Sequence, residues 1–192
     1  MTKTWVYSDP HFYHKNICNF TNFDGTPLRP WDDVNIMTEE MIQWYNECVN
    51  DQDRVYILGD VAFTAAKIKN SVGRMKGRKC LILGNHDPVK IKKYIDVLDD
   101  VRGYVQRQGF IMSHIPIHEG SLGRWKLNIH GHLHANTVRR SVWDAPVMDK
   151  SHPSYDDLTE TVDDERYYCA CVERTSFRPI ELQQILEERK LS

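Results

Sequence analysis

Five short groups of residues carry side chains that can bind a metal ion or move a proton. They are Asp9-Pro10-His11, Gly59-Asp60, Gly84-Asn85-His86-Asp87, Ser113-His114 and Gly131-His132-Leu133-His134. Carboxylate and imidazole together suit first-row divalent ions such as manganese, iron or zinc. The donors outnumber the positions of one tetrahedral site, and two ions bridged by a carboxylate would use them all. Each group alone says little: Asp-x-His arises by chance, Gly-Asp is commonly a turn, and Gly-Asn-His-Asp can be a bare strand-to-loop turn. Their combination says more. Of nine histidines, His11, His86, His114, His132 and His134 fall inside these groups, where a purely structural use would scatter them.

The elements that must position these groups are legible as apolar runs. Residues 4–8 (TWVYS), 54–58 (RVYIL), 79–83 (KCLIL), 110–112 and 126–129 each read as a strand, and each is followed by one of the five groups. Residues 35–49 place Ile36, Met41, Ile42, Tyr45 and Val49 at roughly helical spacing, with Asp32, Asp33 or Asn35 as the cap. Residues 65–75 read as a second helix, 167–172 (YYCACV) as a strand, and 180–189 as a helix started by Pro179. This order predicts a sheet-based core with helices packed outside. Side chains at the ends of neighbouring strands then converge at one sheet edge, where α/β folds commonly bind ligands.

Bulk properties narrow the class. The 192 residues fit a single domain, 1–192, and 41% apolar with 27% charged residues is ordinary globular composition. No apolar run approaches the length of a membrane span, and the N-terminus has no apolar leader pattern, so a cytoplasmic protein without membrane contact is expected. A net charge of -2 argues against a general nucleic-acid coat. Five scattered cysteines suggest reduced thiols, and Cys169-x-Cys171 reads as two small apolar residues on one strand face rather than a metal pair. Residues 143–166 hold six aspartates and two prolines and read as a long surface loop or insertion.

Asp-x-His, Gly-Asp, Gly-Asn-His-Asp, a lone His and Gly-His-x-His, in this order, resemble the calcineurin-like metallophosphoesterase superfamily. The flanks DPHFYHKNI and CACVERTSFRPIEL are similar to a small bacterial and phage branch of it. The resemblance implies an α/β (α+β) four-layer sandwich, two mixed β-sheets flanked by helices, with a metal site at the carboxyl ends of strands. It implies that Asp9, His11, Asp60 and His134 hold one divalent ion and Asp60, Asn85, His114 and His132 a second, with Asp60 bridging. Manganese is favoured, with iron, zinc or nickel as alternatives. It further implies attack on phosphorus by a hydroxide between the ions, and His86 as general acid. Asp87 would orient His86 or shape its loop. Asn85, His14, His118 and Arg29 are candidates to touch substrate, and His130, off the motif, reads as a core residue or one that backs a ligand rather than a ligand itself.

The phosphoprotein phosphatases of that superfamily carry Asp-Arg-Gly after Gly-Asp, and Gly-Asn-His-Glu. Here Val61-Ala62-Phe63-Thr64 follows Asp60, and the later group ends in Asp87. A monoester dianion benefits from an added cation more than a diester monoanion does, so the departure favours a phosphodiester, nucleotide-like or otherwise small. Arg29, Arg74 or Arg124 could supply that cation from elsewhere, and Phe12, Tyr13, Phe63 or Trp125 could stack on a base. The competing expectations are a phosphomonoesterase, including a Ser/Thr phosphoprotein phosphatase, and a non-catalytic scaffold that kept the fold.

Overall fold

Alternation along parallel strands builds two apolar layers at once. In β1 (Thr4–Tyr7), β2 (Arg54–Ile57) and β3 (Arg78–Ile82), the side chains of Tyr7, Val55, Ile57 and Leu81 enter one core, while Val6, Tyr56, Cys80 and Ile82 enter another. Strands buried on both faces are what parallel pairing requires. The computed structural model describes residues 2–141 and 161–191. Its larger sheet adds β4 (Asp100–Arg102) beside β3 and a short β11 (Ile180–Glu181) beside β1, giving the order β11-β1-β2-β3-β4. Only β11 runs antiparallel to its neighbour.

The second sheet has the order β10-β7-β6-β5, from β5 (Tyr104–Arg107), β6 (Phe110–Ser113), β7 (Leu127–His130) and β10 (Tyr167–Cys169). The β5–β6 pair is antiparallel and the other two pairs are parallel. Val105, Phe110, Met112, Leu127 and Ile129 from this sheet meet Val6, Tyr56, Leu58, Cys80 and Ile82 from the first, so one apolar layer is sandwiched between sheets. The other core lies between the larger sheet and two helices, α1 (Val34–Cys48) and α2 (Ala65–Val72). A third helix, α3 (Leu182–Glu188), contacts β1 and β11 and sends Ile185 into the inter-sheet layer. The molecule is therefore a mixed α/β sandwich of two mixed sheets with three α-helices among the described residues.

Helix α1 starts where Asp33 accepts hydrogen bonds from the amides of Asn35 and Ile36, satisfying two of the first-turn donors. It buries Met37, Thr38, Met41, Ile42 and Tyr45, and each large apolar side chain there contributes about 1.5–3 kcal/mol. Ile36, expected on that face, is 55% exposed, one position off the buried stripe. Thr64 caps α2 by accepting from the Lys67 amide.

Other boundaries move for physical reasons. The expected last helix begins two residues late, because Ile180 and Glu181 pair with β1 as β11. The YYCACV strand stops at Cys169, with Cys171 bridging to Ser8. Of the acidic segment expected as loop or insertion, residues 143–160 lie outside the described residues. Its Thr161–Asp163 portion is strand β9, antiparallel to β8 (Arg139–Ser141). All five cysteines are free, and no described helix is long and apolar enough to cross a membrane.

Candidate metal centre

The five polar groups meet where β1, β2, β3, β6 and β7 end. Loop-to-loop backbone hydrogen bonds hold them together. The amides of Asp9 and His11 donate to the carbonyls of Gly59 and Asp60 (both 3.1 Å), and the Gly131 amide donates to the His114 carbonyl at 2.9 Å. Two glycines are required by close approach. A Cβ on Gly84 would collide with the Asp60 carboxylate and amide, and one on Gly131 would collide with Ser8 Oγ and Asp9 Oδ2. The glycines of Gly-Asn-His-Asp and Gly-His-x-His are thus the points where neighbouring loops touch.

Backbone strain concentrates here as well. Asp9, His11, Asp60, His132 and His134 have φ of 55°, 48°, 50°, 71° and 53°. For residues other than glycine the left-handed region costs about 1–3 kcal/mol each, and such residues persist where surrounding contacts over-determine them.

Two groups of donors result: Asp9, His11 and His134, and Asp60, His114 and His132. In each, one ligand-competent atom from every residue lies within 4.8 Å of the others. Either set could hold a metal ion. The Asp60 carboxylate faces both sets, with Oδ2 3.6 Å from His11 Nε2 and 3.5 Å from His114 Nε2. Asp60 Oδ1 accepts from the His86 amide at 2.9 Å. Burial works against charge on Asp60, yet His114 and the His86 amide hold its carboxyl down at about 2. Burial and the nearby Arg29 charge lower His11 to about 3, which keeps the imidazole neutral with a lone pair available.

The donor chemistry fits a cation. Asp9 Oδ1 and both ring nitrogens of His11 are buried and make no hydrogen bond among the described residues. A buried carboxylate oxygen and imidazole left in that condition cost free energy unless a metal takes them. Asn85 Oδ1 sits 2.8 Å from His114 Nε2, which puts its side chain beside the second set. All seven residues expected as ligands are therefore brought together.

The other expected site residues divide. His86 is exposed at the mouth, its ring 5.8 Å from that of His11 and 4.9 Å from Phe63. His14 is beside it, 4.6 Å from Phe63 and 5.6 Å from His11. Asp87 shapes the loop rather than orienting His86. Its Oδ2 accepts from the amides of Asp60 and Gly84 and its Oδ1 from the Val61 amide, at 2.9–3.0 Å. Arg29 does not reach substrate, contrary to expectation. Its side chain is fully buried, donating to the carbonyls of Pro10 (2.7 Å) and Asp9 (2.8 Å) and to Glu173. His118 is exposed and spends Nδ1 on the Gly120 amide, capping a short 3-10 turn. His130 is fully buried in the core, and burial lowers it to about 4. Phe12 is fully buried too. Arg74 pairs with Glu39, and Arg124 lies over Trp125 and reaches Gln106 on β5.

Glu173 is the functional residue that the motif reading missed. Its Oε1 accepts from Arg29 Nε at 2.9 Å and Nη2 at 2.6 Å, and lies 2.9 Å from His134 Nδ1. That contact fixes the His134 ring and leaves its Nε2 for the site. The signal was present, because Glu173 follows the apolar run YYCACV as the other groups follow theirs.

No family model matches the chain. Uncharacterized protein MJ1445 of Methanocaldococcus jannaschii is 34% identical over 139 residues, which span 71% of this chain and 72% of that protein. The chain belongs to the MJ1445 family. Gene 66 protein of Mycobacterium phage D29 is 27% identical over 175 residues, spanning 74% of this chain and 83% of the phage protein. Gene 66 protein of Mycobacterium phage L5 is 34% identical over 98 residues, spanning 45% and 41%. The crystal structure of the protein of unknown function AQ665 from Aquifex aeolicus superposes with a TM-score of 0.62 at 22% identity, covering 98% of this chain and all of that one. It has the same fold.

Proposed function

We propose that this chain is a two-metal-dependent phosphoesterase of the calcineurin-like superfamily, cleaving a phosphodiester that is nucleotide-like or otherwise small. The observation that carries the proposal is the position of Asp60, with one carboxylate oxygen facing an imidazole of each donor set. In this reading Asp9, His11, Asp60 and His134 hold one ion, and Asp60, Asn85, His114 and His132 the other, at the carboxyl ends of the strands. Manganese is the favoured ion, and carboxylate, amide and imidazole donors also suit iron, zinc or nickel. Two bound ions supply charge neutralisation on the phosphoryl oxygens and a nucleophile at neutral pH.

The remaining chemistry belongs to the chain's own residues. His86 stands exposed at the mouth and donates a proton to the leaving oxygen, a role an imidazole fills near neutral pH. Its backbone amide bonds to Asp60, so the proton donor is positioned by the bridging residue's own carboxylate. Asp87 ties the Asp60 and Gly84 loops together, and Glu173 holds the ring of His134. His14 and Phe63 form the wall against which substrate lies.

Preference for a diester is supported by the arginines. Arg29 is turned inward onto Glu173, Arg74 is paired with Glu39, and Arg124 contacts Trp125 and Gln106, so each has a partner other than a metal ligand. Comparing turnover of bis-p-nitrophenyl phosphate and p-nitrophenyl phosphate with manganese tests the assignment. Faster diester cleavage is expected, and a strong monoester preference would overturn the diester reading. No hydrolysis of either ester, with manganese, nickel or iron, would overturn the enzymatic one.

A further inference from the structure

The inter-sheet layer is apolar along most of its depth and ends in arginines. Alternation puts Arg54 on the face of Tyr56, Arg78 on the face of Cys80, Arg102 on the face of Ile82, and Arg107 on the face of Val105, and these apolar partners all line the layer between sheets except Tyr56's polar hydroxyl. The four guanidinium groups line a cleft of about 910 Å³ on the flank where β4 and β5 face each other. The cleft reaches the first residues of β2 and β3, whereas the donor sets follow the last residues of those strands. Its size lies within the range of small-ligand sites.

Three features favour an anion there over a merely solvated surface. Arg54 and Arg78 are direct register partners in parallel β2 and β3, and like charges directly opposed across strands are destabilising. Arg54 Nη1 and Arg107 Nη2 both approach the Tyr56 hydroxyl oxygen, at 3.5 and 2.9 Å, so a third like charge joins the pair on one shared acceptor. Among the described residues Arg54, Arg78 and Arg107 have no carboxylate at ion-pair distance; of the two aspartates in the cleft, Asp100 pairs with Arg102 at 2.7 Å and Asp99 accepts from the Lys79 amide at 2.7 Å. Like charges held together at the mouth of an apolar layer, with planar forked donors, match the oxygens of linked phosphates.

We infer that this flank binds a di- or triphosphate group, free or carried on a nucleotide. The site is separate from the donor sets and does not depend on the proposed phosphoesterase reading. Isothermal titration of the full chain, as purified and again in EDTA, tests it with methylenediphosphonate, α,β-methylene ADP and adenosine as probes. Both phosphonates should bind in EDTA, while adenosine should not. Arg54→Gln with Arg78→Gln should weaken both by roughly tenfold or more, and Asp60→Asn should leave the EDTA-resistant binding unchanged. Tighter binding of the ADP analogue identifies a nucleotide as the carrier; equal binding identifies the free diphosphate. The arginines are exposed, so the double variant should keep the wild-type thermal midpoint or exceed it at low salt. Absence of phosphonate binding at millimolar concentration, or binding untouched by the double variant, would overturn the inference.

Discussion

Glu173→Gln removes the charge that Arg29 was folded around. The carboxylate is 3% exposed and Arg29 is fully buried, so the variant leaves a guanidinium in the interior without its counter-charge. Breaking a buried pair this way costs about 3–5 kcal/mol. The acid-base behaviour gives a second measure. Burial opposes the charged form of Glu173, but Arg29 and His134 bring its carboxyl from the ordinary 4.5 down to about 2. The folded value is depressed, so this stabilisation is complete above the unfolded value and is lost as pH falls toward the folded one. The difference corresponds to about 3 kcal/mol at neutral pH, and roughly half should remain near pH 3. Urea unfolding of the metal-free chain, wild type against Glu173→Gln, reads this directly. The variant should lose about 3 kcal/mol at neutral pH, or about 10 °C in thermal midpoint, and the gap should narrow on acidification. Arg29→Met with Glu173→Leu should cost less than the two single changes added, because neither partner is left alone. A variant within about 1 kcal/mol of wild type at neutral pH, or a gap that stays constant into acid, would refute the reasoning.

Three further outcomes follow from the site. Gly84→Ala should cost roughly 1–3 kcal/mol of stability and displace Asp60, seen as weaker manganese binding by calorimetry. Asp87→Asn should destabilise by about 1–3 kcal/mol, since three amides share its two oxygens and one oxygen becomes a donor; denaturant unfolding measures it. His86→Ala should keep its metal content while slowing esters with poor leaving groups by roughly 10²–10⁴-fold, and loss of metal instead would make His86 a ligand.

The strand ends were legible because parallel strands buried on both faces read as apolar runs, and the chemistry-bearing groups begin where those runs stop. Convergence of the seven donors follows from strand order, which puts β1, β2 and β3 side by side in one sheet and β6 and β7 side by side in the other. Arg29 was illegible because its role comes from a partner 144 residues away in sequence. No local spacing distinguishes an arginine facing substrate from one bonded to the underside of a loop. Ile36 was misplaced for a simpler reason: with two isoleucines and two methionines in α1, a one-residue rotation of the helix satisfies the spacing almost as well. Strands β4, β5, β8 and β9 bury only Val105 among them, so no apolar run marks them in the sequence. The strained φ values and the Gly84 contact belong to tertiary structure, although the glycines themselves were visible in the motifs.

Metal analysis of the purified chain beside Asp60→Asn tests the central claim most directly. Two divalent ions per chain in the wild type, with both lost in the variant, is the predicted result, since one carboxylate oxygen faces both donor sets. A wild-type chain that takes up no manganese, iron, zinc or nickel, or an Asp60→Asn chain that retains both ions, would contradict it.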